Sequence, residues 1–141
     1  MKERHAALEQ ICQKSGIAGL YAFGSQAEGV RDWLEGERDD LLSSGSDIDI
    51  GVRGMPQKRY SVSEKVSLSL TLEDLFGGSR VDLVFLSEAD PFVAAEIIRG
   101  ERLYVQDEYD ADEYDLYILR RAGDLAPLER ERMALVLGEP T

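Results

Sequence analysis

Two aspartates, separated by one residue, lie in a segment that has the alternating pattern of a β-strand. Across residues 47–52 every second residue is aliphatic, so Asp47 and Asp49 fall together on the opposite face. Residues two apart on a strand lie roughly 6.5–7 Å from each other, which lets both carboxylates reach one divalent ion. The pattern predicts an acidic pair that can bind a metal ion.

A third carboxylate, Asp82, interrupts the apolar run of residues 81–86. If the two strands are neighbours, Asp82 joins the pair, and three carboxylates that repel one another are compensated by a bound cation. The alternative is that Asp47 and Asp49 are solvent-facing residues of an edge strand, a common pattern in half-exposed sheets. The apolar surroundings of Asp82 favour the metal site.

A Gly-Ser turn, Gly24-Ser25, follows the apolar residues 18–23. Backbone N–H groups and a small hydroxyl in such a turn can approach a phosphate closely, although a plain β-turn has the same composition. The turn lacks the Gly-Lys-Ser/Thr of a Walker loop, and the chain has no Gly-x-Gly-x-x-Gly dinucleotide motif. On its own, therefore, it is a weak signal for phosphate binding.

Helical and strand patterns alternate along the chain. They predict an α/β (α+β) fold, a small mixed β-sheet flanked by helices, in a single domain over residues 1–141 with a C-terminal helical tail from about 108. The predicted helices cover residues 2–14, 61–76, 91–98, 113–121 and 128–137, and the predicted strands cover 18–23, 47–52, 81–86 and 102–105.

Residues 30–46 differ from the rest, because charged residues dominate and large apolar residues are few. This composition predicts a mobile insertion between the Gly-Ser turn and the strand of Asp47. A second charged stretch, residues 107–115, carries six carboxylates. It is either the solvated start of a helix, where acids favour the helix dipole, or a docking face for a basic partner.

Composition limits the class of protein. The 141 residues carry 16 Lys and Arg against 28 Asp and Glu, a net charge of −12, so binding to DNA is not expected. The single cysteine, Cys12, cannot form an intramolecular disulfide and predicts a reducing, cytoplasmic compartment. Neither a signal peptide nor a membrane-spanning segment is predicted.

Together, Gly24-Ser25, Gly29, Asp47-Ile48-Asp49 and Val81-Asp82-Leu83 resemble the DNA polymerase β nucleotidyltransferase superfamily. Within it, the chain looks like the minimal nucleotidyltransferases (MNT), many of which are antitoxins of HEPN-domain ribonuclease toxins. The resemblance covers residues 20–105. Residues 26–46 form a loop about twice as long as is usual in that family, and Glu28 stands where an arginine is common; the cations that could replace that charge are Arg31, Arg53, Lys58 and Arg59.

The resemblance implies Mg²⁺-dependent transfer of AMP from ATP to a tyrosine of a partner HEPN toxin, with which the chain would form a hetero-oligomer. Two Mg²⁺ ions are implied. The site residues implied are Asp47, Asp49 and Asp82 for catalysis and the metals, and Gly24, Ser25 and Gly29 for the nucleotide. Two alternatives stay open: an antitoxin that acts by occlusion without catalysis, and nucleotidyl transfer to a small molecule such as an aminoglycoside.

Overall fold

A four-stranded mixed sheet lies at the centre of the computed structural model, which describes residues 2–39 and 47–138. The strands are β1 (Ile17–Phe23), β2 (Ile48–Gly54), β3 (Val81–Phe85) and β4 (Glu101–Val105), in the spatial order β3-β2-β1-β4. β1 is antiparallel to β2 and β4, whereas β2 and β3 are parallel. The helices are α1 (Lys2–Lys14), α2 (Ala27–Leu34), α3 (Val62–Leu75), α4 (Pro91–Ile98) and α5 (Glu108–Leu137), and a 3-10 turn covers Leu86–Glu88. The predicted fold class is confirmed.

Helices cover both faces of the sheet. Alternation along β1 sends Leu20 into a core with α1, α2 and α3, and sends Tyr21 into a second core with α4 and α5. Both residues are fully buried. A strand that is covered on both faces is apolar throughout, which explains the continuous apolar run in residues 18–23. No helix in the described part of the chain is both long and apolar enough to cross a bilayer.

The parallel pairing of β2 and β3 requires a crossover, which α3 provides. A capping box fixes its start: the Ser61 hydroxyl accepts a hydrogen bond from the Glu64 N–H at 3.1 Å, and the Glu64 carboxylate accepts one from the Ser61 N–H at 3.0 Å. Leu68 and Leu72 face the core. The predicted helix over residues 61–76 is confirmed.

The predicted insertion at residues 30–46 is wrong at its start. Val30, Trp33 and Leu34 belong to α2 and are at most 8% exposed, and the Trp33 ring packs edge-on against Phe76 at 5.6 Å. Their spacing of three and four residues is that of a helix that packs one face on a core, but the charged residues between them obscured it. Residues 40–46 of the predicted insertion lie outside the described residues.

The two predicted C-terminal helices are one helix, α5, with Pro127 in its interior. Gly123 and Pro127 lie between the two predicted helices, and proline lacks an N–H and costs about 3 kcal/mol inside a helix. The N-terminal half carries three buried residues, Ala111, Ile118 and Ala122, of which Ile118 and Ala122 pack in the core with Tyr21 and α4. Packing of this half outweighs the unfavourable helix propensity of Gly123 and Pro127, so the helix continues through both residues.

Most carboxylates at the start of α5 have partners within the chain. Asp107 caps the helix by accepting a hydrogen bond from the Asp110 N–H at 3.0 Å. Arg102 of β4 binds three of the following carboxylates, Glu108, Asp112 and Asp115, at 2.8–3.2 Å. These ion pairs fix α5 to the edge of the sheet and partly neutralise the surface that was considered as a docking face, on which Glu108 and Asp112 remain exposed.

Candidate active site

Three aspartates meet at one end of the sheet. In the parallel pair of β2 and β3, Asp49 lies directly opposite Asp82, and Asp47 immediately precedes β2. Adjacent strands are about 4.8 Å apart, so the carboxylates of all three residues converge on one region. Asp49 is half-buried, whereas Asp82 is exposed to solvent. The structure thus brings together the three residues that the sequence nominated.

The aspartates share one electrostatic environment. Burial raises the pKa of Asp49, and the charges of Asp82 and Asp47 raise it further. The pKa of Asp82 is raised by desolvation, by a hydrogen bond with Asp47 and by the charge of Asp47. The nearest cation is Arg80, whose Nε lies 3.9 Å from Asp47 Oδ2 on a side chain that is 77% exposed. Negative charge at this end of the sheet is therefore poorly compensated.

Carboxylates on neighbouring strands are the oxygen donors that Mg²⁺ prefers, so the donor set of Asp47, Asp49 and Asp82 fits such an ion. The described residues contain a tighter acidic group, in which one carboxylate oxygen from each of three residues lies within 4.8 Å of the others: Asp32, Glu35 and Glu37. The carboxylate oxygens of Asp47, Asp49 and Asp82 do not all lie within 4.8 Å of one another. The group at the end of α2 lies largely on the surface, where clustered acids without an ion are common.

The Gly-Ser turn lies directly against the aspartates. Phe23, the last residue of β1, pairs with Asp49, so Gly24 begins the turn beside the Asp49 carboxylate. Gly24 has a φ of +77°, and an ideal Cβ there would lie only 2.6 Å from Asp49 Oδ2. Both facts restrict the position to glycine. Ser25 follows with its side chain exposed at the same end of the sheet.

Gly29 stands in the first turn of α2, and a residue that sequence analysis missed lies against it. An ideal Cβ on Gly29 would lie 2.9 Å from Nη1 of Arg38. Arg38 comes after α2 in the chain and folds back to reach this position. Nothing in the local sequence signals such a contact, because it depends on where the chain turns after the helix.

Sequence analysis named four cations that could replace the charge missing at Glu28: Arg31, Arg53, Lys58 and Arg59. Arg53 is next to Gly54, at the far end of β2, and Lys58 and Arg59 come after that strand in the chain. Asp49 and Gly54 are five residues apart, or about 17 Å along the strand. Arg31 is close to the turn, but Glu101 and Asp32 bind its guanidinium at 2.9 and 3.1 Å.

Comparison with known proteins gives the family. The model of the family described as polymerase beta, nucleotidyltransferase, matches residues 6–109, which confirms the resemblance. No curated protein matches the chain significantly.

Solved structures share the fold. An MntA–HepT toxin–antitoxin complex carrying two Asp-to-Glu substitutions contains a chain 16% identical, with a TM-score of 0.71 over 94% of this chain and 98% of that one. A toxin–antitoxin structure with AMP-PNP gives 18% identity and the same score and coverage. A complex of a tri-AMPylated Shewanella oneidensis HEPN toxin with its MNT antitoxin gives 16% identity and a TM-score of 0.67, covering 96% and 98%. With the family match over most of its length, the chain belongs to the polymerase beta nucleotidyltransferase family.

Proposed function

We propose that this protein is a Mg²⁺-dependent nucleotidyltransferase of the antitoxin type, which transfers AMP from ATP to a tyrosine of a HEPN-domain toxin. The observation that carries the proposal is the position of Asp49, which lies between Asp82 on the neighbouring strand and the Gly24 turn. Carboxylates for metal ions and a turn for phosphates are thereby adjacent, as transfer of a nucleotidyl group requires.

In this proposal Asp47 and Asp49 would hold two Mg²⁺ ions, with Asp82 as a further ligand. The ions would activate the acceptor hydroxyl and neutralise the departing pyrophosphate. Gly24 and Ser25 hold the β- and γ-phosphates. The tyrosine oxygen forms a bond to the α-phosphorus while the bond from that phosphorus to the β-phosphate oxygen breaks. Asp82, which is exposed at this end of the sheet, orients the hydroxyl and accepts its proton.

Two observations support a toxin as the acceptor. Similar folds occur in solved complexes with HEPN toxins, one of them tri-AMPylated. The net charge of −12 suits a partner that presents a basic surface for RNA.

The test is to incubate the protein with a HEPN toxin, ATP and Mg²⁺ and to weigh the toxin by mass spectrometry. We expect mass increases of one AMP group per modified tyrosine. The double variant Asp47→Asn/Asp49→Asn should bind the toxin but leave its mass unchanged. Asp124→Asn, an exposed aspartate on α5 without an ion pair among the described residues, is the control and should retain activity.

Glu28 gives the occlusion hypothesis its support, because a carboxylate beside a triphosphate is unfavourable. If the wild-type protein leaves the toxin mass unchanged while the double variant still protects cells, occlusion replaces catalysis. Modification of an aminoglycoside but not of the toxin would instead identify a small-molecule enzyme.

A further inference from the structure

Arg38 reaches the first turn of α2 because the chain reverses at the end of that helix. The Gly36 N–H donates to the Trp33 carbonyl at 3.1 Å, and the Glu37 N–H donates to the Asp32 carbonyl at 2.8 Å. This pair of bonds is a Schellman-type helix end, which turns the following residues back along the helix. The Arg38 side chain then extends to Gly29, where its Nη1 lies 2.9 Å from the position that a Cβ would take.

The backbone at Arg38 is held in place from α1. Arg4 Nη1 donates to the carbonyls of Trp33 and Arg38 at 2.6 and 2.8 Å, and Arg4 Nη2 donates to the Asp39 carbonyl at 3.0 Å. The Arg4 guanidinium also stacks over the Trp33 ring at 4.3 Å, and Trp33 is buried in the core. These contacts fix the backbone from which the Arg38 side chain extends.

Arg38 has no carboxylate partner among the ion pairs of residues 2–39 and 47–138, in contrast to Arg31 of α2, which has two. Its surroundings are nevertheless acidic, because Glu28 precedes Gly29 and the aspartates lie beyond the Gly24 turn. Gly29 is in the first turn of α2, and Ser25 comes two residues before that helix begins, so Arg38 lies near the residues that follow Gly24. Arg38 is thus a positioned cation beside the proposed phosphate turn.

From this placement, we propose that Arg38 binds the triphosphate of the nucleotide. The inference rests on the proposed function and adds to it the residue that recognises the phosphate chain. A planar guanidinium donates two parallel hydrogen bonds to phosphate oxygens, and it supplies positive charge that Glu28 cannot. Arg38 then selects for the triphosphate itself, so its contribution is large for ATP and absent for AMP.

Isothermal titration calorimetry of Arg38→Ala with Mg²⁺–ATP and with AMP tests the inference. Loss of a charge-assisted pair predicts ATP binding weaker by about 10- to 100-fold, with AMP binding unchanged. Arg59→Ala is the matched control: it removes one exposed arginine that is likewise without an ion pair in the described residues, but at the far end of β2. It should bind ATP as the wild type does.

A rescue variant separates recognition from folding. In Arg38→Ala/Glu28→Arg an arginine stands beside Gly29 on α2 itself, and ATP affinity should return towards the wild-type value. The inference is overturned if Arg38→Ala binds ATP as tightly as the wild type, or if ATP and AMP binding fall equally, which would indicate a structural role. If the wild-type protein itself fails to bind Mg²⁺–ATP, the proposed function is overturned as well. If the wild type binds Mg²⁺–ATP and Arg38→Ala binds it equally well, only the inference about Arg38 fails.

Discussion

Asp49 and Asp82 lie opposite each other in the parallel pair of β2 and β3, and α3 connects the two strands. The register of the sheet forces these like charges together, because the aliphatic residues that alternate with Asp49 must remain in the core. Like charges directly opposite each other destabilise a sheet. The candidate site is therefore built at some expense of stability, as is common where function requires clustered charge.

The first prediction concerns this pair. Asp49→Asn removes the half-buried charge that both other aspartates repel, so the free energy of unfolding at pH 7 should rise by about 0.5–1 kcal/mol. Binding of Mg²⁺–ATP should be lost in the same variant. Urea unfolding and calorimetry measure the two effects, and Asp124→Asn should change neither. A less stable variant that still binds ATP would contradict the assignment.

The second prediction concerns Gly24. Alanine there must adopt a φ of +77° and would bring a Cβ to 2.6 Å from Asp49 Oδ2, whereas Gly77 has a φ of +75° with no atom within 4 Å of the equivalent position. Both substitutions should lower the free energy of unfolding by about 1–2 kcal/mol through the backbone conformation. Only Gly24→Ala should also abolish metal-dependent ATP binding. Equal loss of binding in both variants would mean that the contact with Asp49 is unimportant.

Local patterns made much of the fold predictable. Strict alternation identified β2 and the shared face of Asp47 and Asp49, and the helix predicted over residues 61–76 agrees with α3 to within one residue at each end. The position of Asp82 opposite Asp49 depends on strand order, which the residues alone left conditional. The family resemblance implied that the three aspartates share one site, and the parallel register places Asp82 opposite Asp49.

Features that depend on long-range contacts were missed. α2 buries one face that includes Trp33, but charged residues between the apolar ones resembled a loop, and α5 continues through Pro127 because packing holds its first half. The Arg38 contact with Gly29 and the carboxylates around Arg102 join segments that have no common sequence pattern. Such contacts become visible only after the chain is folded.

The third prediction concerns the network that fixes α5 to the sheet. Asp115 accepts a hydrogen bond from the buried Tyr21 hydroxyl at 2.8 Å and binds Arg102 at 2.8 Å, with its side chain 15% exposed. Asp115→Ala leaves that hydroxyl unsatisfied and should lower the free energy of unfolding by about 2–4 kcal/mol. Asp112→Ala removes a contact to the same arginine from a side chain that is 69% exposed, so its effect should stay below about 1 kcal/mol. Thermal or urea unfolding measures the free energy of unfolding of both variants. Similar decreases in the two variants would refute the role of burial.

The last prediction concerns stability at high pH. Burial, followed by the charge of Glu9, raises the pKa of the Cys12 thiol from 9.0 to about 12. Between these values the unfolded chain releases a proton that the folded chain keeps, so the free energy of unfolding falls as pH rises through this window, by up to about 1.4 kcal/mol per pH unit.

Urea unfolding at pH values from 8 to 11 should show this decline beginning near pH 9, and Cys12→Ala should remove that part of the slope although it also leaves a small cavity. Tyr60 gives an internal comparison, because burial, with the nearby Cys12 and Glu64, raises its pKa from 10.0 to about 12. Its hydroxyl donates to the carbonyls of Ser15 and Gly16 at 2.8 and 3.1 Å, which favours the neutral form. Tyr60→Phe should therefore flatten the curve only above pH 10. If Cys12→Ala keeps the full wild-type slope between pH 9 and 10, the thiol is not the group that titrates there.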